Sequence, residues 1–259
     1  MRMVNMLNNN DGNNNFDEVV DLLKKIRLPA LAEAFSQQIL NVENYEGRTF
    51  TDRLLELVQA EYDAEVNNRI ARLKKSANIP ICNAHFSEIE YKPERQINRE
   101  IIKILATNKY IEQKLNVLIQ GETGCGKSFI ASCLANAACE AGIKTKFIRL
   151  QKLFREFDTA RGLGCYNRVL EQYQKVPVLV LDDFLLTPTS RMEQTDLLEL
   201  IEGLCGTAST IFCSQFAAEG WHATLDGGVL ADSILDRIIP SAYKIKLAGD
   251  SMRRLLSII

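Results

Sequence analysis

Residues 115–134 read "LNVLIQGETGCGKSFIASCL": an apolar run, a short stretch holding three glycines and ending in Lys-Ser, then a second apolar run. Within it, Gly121 to Ser128 fit the pattern Gly-x-x-x-x-Gly-Lys-Ser. Gly121, Gly124 and Gly126 permit backbone angles and close approaches that a side chain would block. Successive N–H groups can therefore turn inward as a nest for anionic oxygens. Lys127 adds a point charge for β- and γ-phosphates, Ser128 offers its hydroxyl to Mg²⁺, and a helix starting here directs its positive end at the same phosphates. The stretch predicts a nucleoside triphosphate site built from Gly121, Glu122, Thr123, Gly124, Cys125, Gly126, Lys127 and Ser128. Two readings of Cys125 stand side by side. A thiol inside a nest of N–H groups is expected to have a depressed pKa and high reactivity, and a small inert side chain is the alternative.

Working outward, "LNVLI", "TKFIRL", "VPVLVLD", "STIFCS" and "YKIKL" read as strands separated by helical patterns. Nearly continuous apolar runs alternating with helices predict an α/β domain with a parallel sheet covered on both faces, whose ligands bind at the carboxyl ends of the strands. "VPVLVLDDF" ends such a strand in two adjacent carboxylates. Asp182 is the candidate Mg²⁺ ligand, directly or through water, and Asp183 the group that polarises an attacking water. After the next strand, "TIFCSQF" offers Ser214 and Gln215 as polar groups beside the γ-phosphate.

The N-terminal part reads differently. Residues 1–15 are Asn-rich without apolar periodicity and read as a disordered lead-in, and residues 16–80 as a small all-helical domain. Its longest helix places Leu55, Val58, Tyr62, Val66, Ile70 and Leu73 on one face, with Thr49 and Asp52 at capping-box spacing. Residues 81–96 break the periodicity and read as a linker, and 97–259 as the nucleotide-binding domain.

A net charge of −2 over 259 residues gives no global basic field, so contact with nucleic acid has to come from local patches. Arg95, Arg99, Lys103, Lys109 and Lys114 read as a solvated helix face, with phosphate contact as the alternative. Seven cysteines without a Cys-x-x-Cys pair read as reduced thiols rather than a disulfide framework or zinc site. The absence of a long uncharged apolar run and of a signal segment leads to the expectation of a cytoplasmic protein with no membrane partner. The lone Trp221 reads as core packing.

The order "GETGCGKS", "VLVLDD", "CSQ", "LADSILDRI" and "GDSMRR" resembles the AAA+ ATPases of the branch containing the helicase loader DnaC. With "RLPALAEAF" and "FTDRLLELVQAEYD", the chain most resembles the IstB-type transposition helper ATPases encoded by insertion sequences, from about residue 20 onward. The resemblance implies a five-stranded parallel sheet of order 5-1-4-3-2 and a helical N-terminal domain. It further implies ATP and Mg²⁺ as cofactors, ATP-dependent homo-oligomerisation on duplex DNA, and delivery of that DNA to a partner transposase. By position it makes Gln215 the sensor-1 residue, Arg237 the arginine finger, and Arg253, with Arg254 as alternative, the sensor-2 arginine. Asp183 stands where many AAA+ proteins carry glutamate. A loader of a replicative helicase and a P-loop kinase are the competing readings. A kinase would need an arginine-bearing lid and an acceptor pocket, and the sequence displays neither clearly.

Overall fold

The computed structural model describes residues 10–249 and Met252, with side chains from Asn15 onward. The chain divides between Arg69 and Ile70 into two compact units.

The first unit holds α1 (Asn10–Lys25), α2 (Pro29–Leu40) and most of α3 (Phe50–Ala77). Helix α1 begins at Asn10, ahead of the expected start at Phe16. Pro29 opens α2, where its missing N–H costs nothing. The capping box before α3 forms as its spacing predicts: Asp52 N–H donates to Thr49 Oγ1 at 3.2 Å, and Thr49 N–H donates to the Asp52 carboxylate at 3.3 Å. Phe16 stacks on Phe35 with ring centroids 5.8 Å apart. Gln38, buried, donates to the Arg53 carbonyl and accepts from Arg53 Nε. The expected apolar face of α3 is corrected in its first half, while Ile70 and Leu73 near its end are half-buried as expected. Leu55 and Tyr62 are each 64% exposed and Val58 51%, whereas Leu57 is 8% exposed. Small residues, Ala60 and Ala64, share the half-buried side of α3, so the larger apolar side chains are left facing outward.

The last turns of α3 belong to the second unit. Ala77 and Ile79 are buried in its core, which moves the division upstream of the expected boundary near residue 80. Residues 81–96 also differ from a free linker. Ala84, Ile89 and Arg95 are buried, and Asn136 donates to the Ile81 and Ala84 carbonyls. Apolar residues within a polar stretch give this segment its seat on the domain.

There follow α4 (Arg99–Ala106), α5 (Lys109–Glu112), β1 (Asn116–Gly121), α6 (Lys127–Glu140), β2 (Thr145–Arg149), α7 (Leu150–Gly162), α8 (Tyr166–Gln174), β3 (Val178–Asp182), α9 (Arg191–Leu204), β4 (Ser209–Ser214), α10 (Ala218–Thr224), α11 (Gly228–Ile238) and β5 (Ala242–Leu247). The sheet is wholly parallel with order β2-β3-β4-β1-β5, the arrangement that the family resemblance implies. Strand residues alternate between two apolar layers. Leu118, Leu179, Leu181 and Phe212 face one core, and Val117, Val178, Val180 and Ile211 the other. Because β1 is flanked by β4 and β5 rather than β2, the chain leaves β1 at a point where the strand order reverses. A crevice opens there at the carboxyl ends. Among the described residues no helix is long and apolar enough to cross a membrane.

Candidate functional site

At that crevice, β1 ends in Gly121 and α6 starts at Lys127. Gly121 has φ +153°, and a Cβ there would lie 2.3 Å from the Leu247 carbonyl oxygen, so any side chain would push β5 away. Gly126 has φ +101°, and a Cβ there would lie 2.8 Å from Arg95 Nη2. Lys127, only 7% exposed, lies back over the loop and donates to the Gly121 and Glu122 carbonyls at 2.7 and 2.8 Å. These two carbonyls offset the burial of the ammonium.

Arg95 departs from its expected place on a solvated helix face. It precedes α4, is 8% exposed, and bridges two segments: Nη1 donates to the Glu90 carbonyl at 3.1 Å and Nη2 to the Cys125 carbonyl at 2.9 Å. The second of these bonds ties the Cys125–Gly126 peptide of the loop to the segment that precedes α4. The Ala248 N–H, donating to the Arg95 carbonyl at 3.1 Å, and the Met252 N–H, donating to the Gly124 carbonyl at 3.0 Å, fasten the C-terminal segment to the same loop.

Across the crevice, β3 delivers Asp182, 5% exposed, to the start of α6. Ser128 Oγ contacts both of its carboxylate oxygens, at 3.0 and 3.2 Å. Burial, reinforced by the neighbouring Asp183 carboxylate, raises the Asp182 pKa above its ordinary value, and the Ser128 hydrogen bond opposes the rise. A buried carboxylate beside a hydroxyl, with no cation within ion-pair distance among the described residues, is a set of hard oxygen donors that fits Mg²⁺. Asp183 sits in the left-handed region at φ +52°, which re-aims it from the strand toward the crevice. Its carboxylate is 3.5 Å from Arg149 Nε, at the end of β2.

A cavity of about 380 Å³ joins these elements. Its walls include Arg95, Lys127, Ser128, Arg149, Asp183 and Gln215. The ends of β2, β3 and β4 and the loop thus meet around one cavity. Ser214 turns away from the cavity. Its hydroxyl donates to the Phe184 carbonyl at 2.9 Å and accepts from Trp221 Nε1 at 3.0 Å, which makes it a strut between the β3 and β4 ends. Trp221 is fully buried against Phe184, as core packing predicts.

One expected member lies elsewhere, and another falls outside the described residues. Arg237, on α11, donates to Glu202 at 2.8 Å and to the Ser233 carbonyl at 2.7 Å. It borders a different recess, with Asn116 and Ser241 at the amino-terminal ends of β1 and β5. Arg253 and Arg254 fall outside the described residues. Of the two readings of Cys125, the inert side chain agrees with the structure and the depressed thiol does not. Cys125 is 1% exposed, and burial pushes its thiol pKa up against the opposing charges of Lys127 and Arg95.

Sequence reasoning assigns neither Arg95 nor Arg149 to this site. Pro93, which breaks the helical pattern just before Arg95, is the signal that sets this arginine apart from the cations of α4. For Arg149 the signal is a cation at the carboxyl end of an apolar strand, where a parallel sheet places its ligands.

Over residues 21–257 the chain matches the family described as IstB-like ATP binding protein. It is 32% identical over 235 residues to y4pL of Sinorhizobium fredii, named for an insertion sequence ATP-binding protein, covering 91% of this chain and 95% of that one. It is likewise 32% identical over 193 residues to the ATP-binding protein of insertion sequence IS1162 from Pseudomonas fluorescens, covering 74% and 83% of the two chains. In fold it is similar to the DnaC helicase loader, with a TM-score of 0.55 at 20% identity over 64% of this chain and 97% of that one. Its second unit has the fold of that loader, and the chain belongs to the IstB-like ATP binding protein family.

Proposed function

We propose that this protein binds ATP with Mg²⁺, hydrolyses it to ADP and phosphate, and uses the cycle to assemble on duplex DNA and present that DNA to a partner transposase in the cytoplasm. The observation that carries the reading is the convergence of Lys127, the Ser128–Asp182 pair and the re-aimed Asp183 on one cavity. The loop N–H groups and Lys127 hold the β- and γ-phosphates, so Lys127 exchanges its two carbonyl partners for phosphate oxygens. Ser128 and Asp182 would hold Mg²⁺, which neutralises charge on the β- and γ-phosphates. Asp183 accepts the proton of the attacking water, with Gln215 orienting that water and Arg149 keeping the Asp183 carboxylate aimed.

Hydrolysis also needs positive charge opposite the γ-phosphate. Arg237 lies outside the cavity of its own chain, which supports a role at the site of a neighbouring copy. Arg253 is the proposed sensor arginine of the C-terminal segment that Met252 fastens to the loop.

The test is ATP binding and phosphate release by the wild type and by Lys127→Ala. The wild type should bind and hydrolyse ATP, and the variant should lose binding while keeping its melting temperature. ATP affinity in Lys127→Ala close to that of the wild type overturns the reading.

A further inference from the structure

Along the open edge of the sheet runs a groove of about 990 Å³ that shares no residue with the nucleotide cavity. Strand β2 forms this edge, since it pairs with β3 alone. The groove is lined by Lys144 and Lys146 around the start of β2, Lys152 and Arg155 on α7, and Lys175 just before β3. Lys144, Lys152, Arg155 and Lys175 are exposed and Lys146 half-buried. Apolar wall residues such as Val169 and Val176 give the lysine stems a surface to lie on, and the charges remain at the mouth.

What separates these cations from ordinary surface charge is their pairing. Among the described residues, Lys144, Lys146, Lys152 and Arg155 have no carboxylate within ion-pair distance. Arg155 meets only the Gln151 carbonyl, and Lys175 alone is paired, to Glu171 at 2.6 Å. Glu156, which also lines the groove, is engaged by the Tyr173 hydroxyl. By contrast Arg161, nearly two turns further along α7, is held by Asp196 at 2.6 Å and lies over the Tyr166 ring. Arg161, which serves the fold in this region, has an acidic partner, and four of the five groove cations do not. In a chain of net charge −2, clustering unpaired cations costs mutual repulsion, which a polyanion relieves.

We propose that this groove is the site at which the phosphodiester backbone of duplex DNA docks. The proposal rests on the DNA-binding reading above and gives it a location. Lysine and arginine with a neutral donor, Gln172, in the same wall are the side chains that contact phosphates without reading sequence. An acidic peptide added along the β2 edge is the rival occupant. It would need few of the cations spread along α7.

The experiment titrates a fluorescein-labelled duplex of arbitrary sequence with full-length protein and a non-hydrolysable ATP analogue over a range of KCl. The proteins are the wild type, the pair Lys144→Glu/Lys146→Glu, the pair Lys152→Glu/Arg155→Glu, and the corresponding Gln substitutions as variants that spare the fold. Each charge-reversed pair should weaken DNA binding at least tenfold. Each should also lower the slope of log affinity against log salt by about 2, since every phosphate left unneutralised removes about 0.9, while ATP affinity stays within about twofold of wild type. Gln pairs should fall between. Unchanged DNA affinity and salt slope in all variants overturns the inference. So does loss of binding to a polyglutamate peptide with DNA binding intact, since that gives the groove to a protein partner. A wild type that binds ATP but no duplex at any salt overturns the DNA-binding reading itself, and the inference with it.

Discussion

Ser128 Oγ lies 3.0 and 3.2 Å from the two carboxylate oxygens of Asp182, joining the first turn of α6 to the end of β3. This hydrogen bond is the largest of the interactions that oppose the burial of the carboxylate, and burial still prevails. The raised pKa fixes the sign of the pH response. The folded apo protein holds the Asp182 proton to higher pH than the unfolded chain does. Stability from this group is therefore present below the ordinary aspartate range and is lost as pH rises through the raised value. Mg²⁺ needs the ionised form, so Mg²⁺-dependent ATP affinity should climb over the same interval. Asp182→Asn should raise the apo melting temperature at neutral pH, by about 2–4 °C for each kcal/mol of relief, while eliminating Mg²⁺-dependent turnover. Calorimetry with and without Mg²⁺ and ATP measures both, and a drop in apo melting temperature would contradict the account.

Cys125 should behave as an inert residue. Its thiol is 1% exposed and its pKa is raised by burial, whereas Cys82 and Cys205 are exposed. Alkylation at neutral pH followed by peptide mapping should modify Cys82 and Cys205 first, and ATP should not change the order. Preferential modification of Cys125 in the nucleotide-free protein would show that the nest outweighs burial.

The parts legible in the sequence are those that local chemistry compels. Glycines at Gly121 and Gly126, and a carboxylate pair ending a fully buried strand, have few uses other than at strand ends around a phosphate. The sheet order itself comes from family resemblance, since apolar runs give strands and their parallel sense but not which strand lies beside which. Side chains set by distant packing are not legible. Arg95 stands among lysines and arginines that share its spacing, and only the fold shows that its guanidinium reaches a carbonyl thirty positions away. On α3 two stripes compete. The stripe with larger apolar side chains predicts the inward face, yet Leu57 and its small neighbours are the ones covered.

Arg95→Met should therefore impair nucleotide binding without acting on chemistry. A hydrogen bond to a charged group contributes about 1.5–3 kcal/mol, part of which water recovers once the Cys125 carbonyl is released. KM for ATP should rise about tenfold with kcat within about twofold, the pattern of weakened uniform binding. A merely structural residue would act through the fraction of folded enzyme, lowering kcat with KM unchanged. Arg95→Lys, which keeps a donor for the carbonyl, should recover part of the affinity.

The position of Arg237 yields the most demanding test. Its guanidinium is tied to Glu202 and the Ser233 carbonyl, and it borders a recess that contains none of the nucleotide-cavity residues. If it completes the site of a neighbouring copy, it must leave Glu202 on assembly and meet the charge developing on that neighbour's γ-phosphate, a contribution of about 10³ to 10⁵ in rate for such fingers. Arg237→Ala should then bind ATP through its own loop and hydrolyse it poorly. Asp183→Asn should also bind ATP and fail to hydrolyse it, while still lending its Arg237 to a neighbour. Mixing the two inactive proteins creates interfaces that pair an intact cavity from the first with an intact arginine from the second. Activity should partly return, in proportion to such interfaces, and wild-type activity per chain should rise with protein concentration. Glu202→Gln should lower the concentration needed, because the arginine no longer has to leave a carboxylate. Mixtures as inactive as their components, together with wild-type activity per chain that is flat with concentration, would confine Arg237 to its own chain and to the ion pair it makes there.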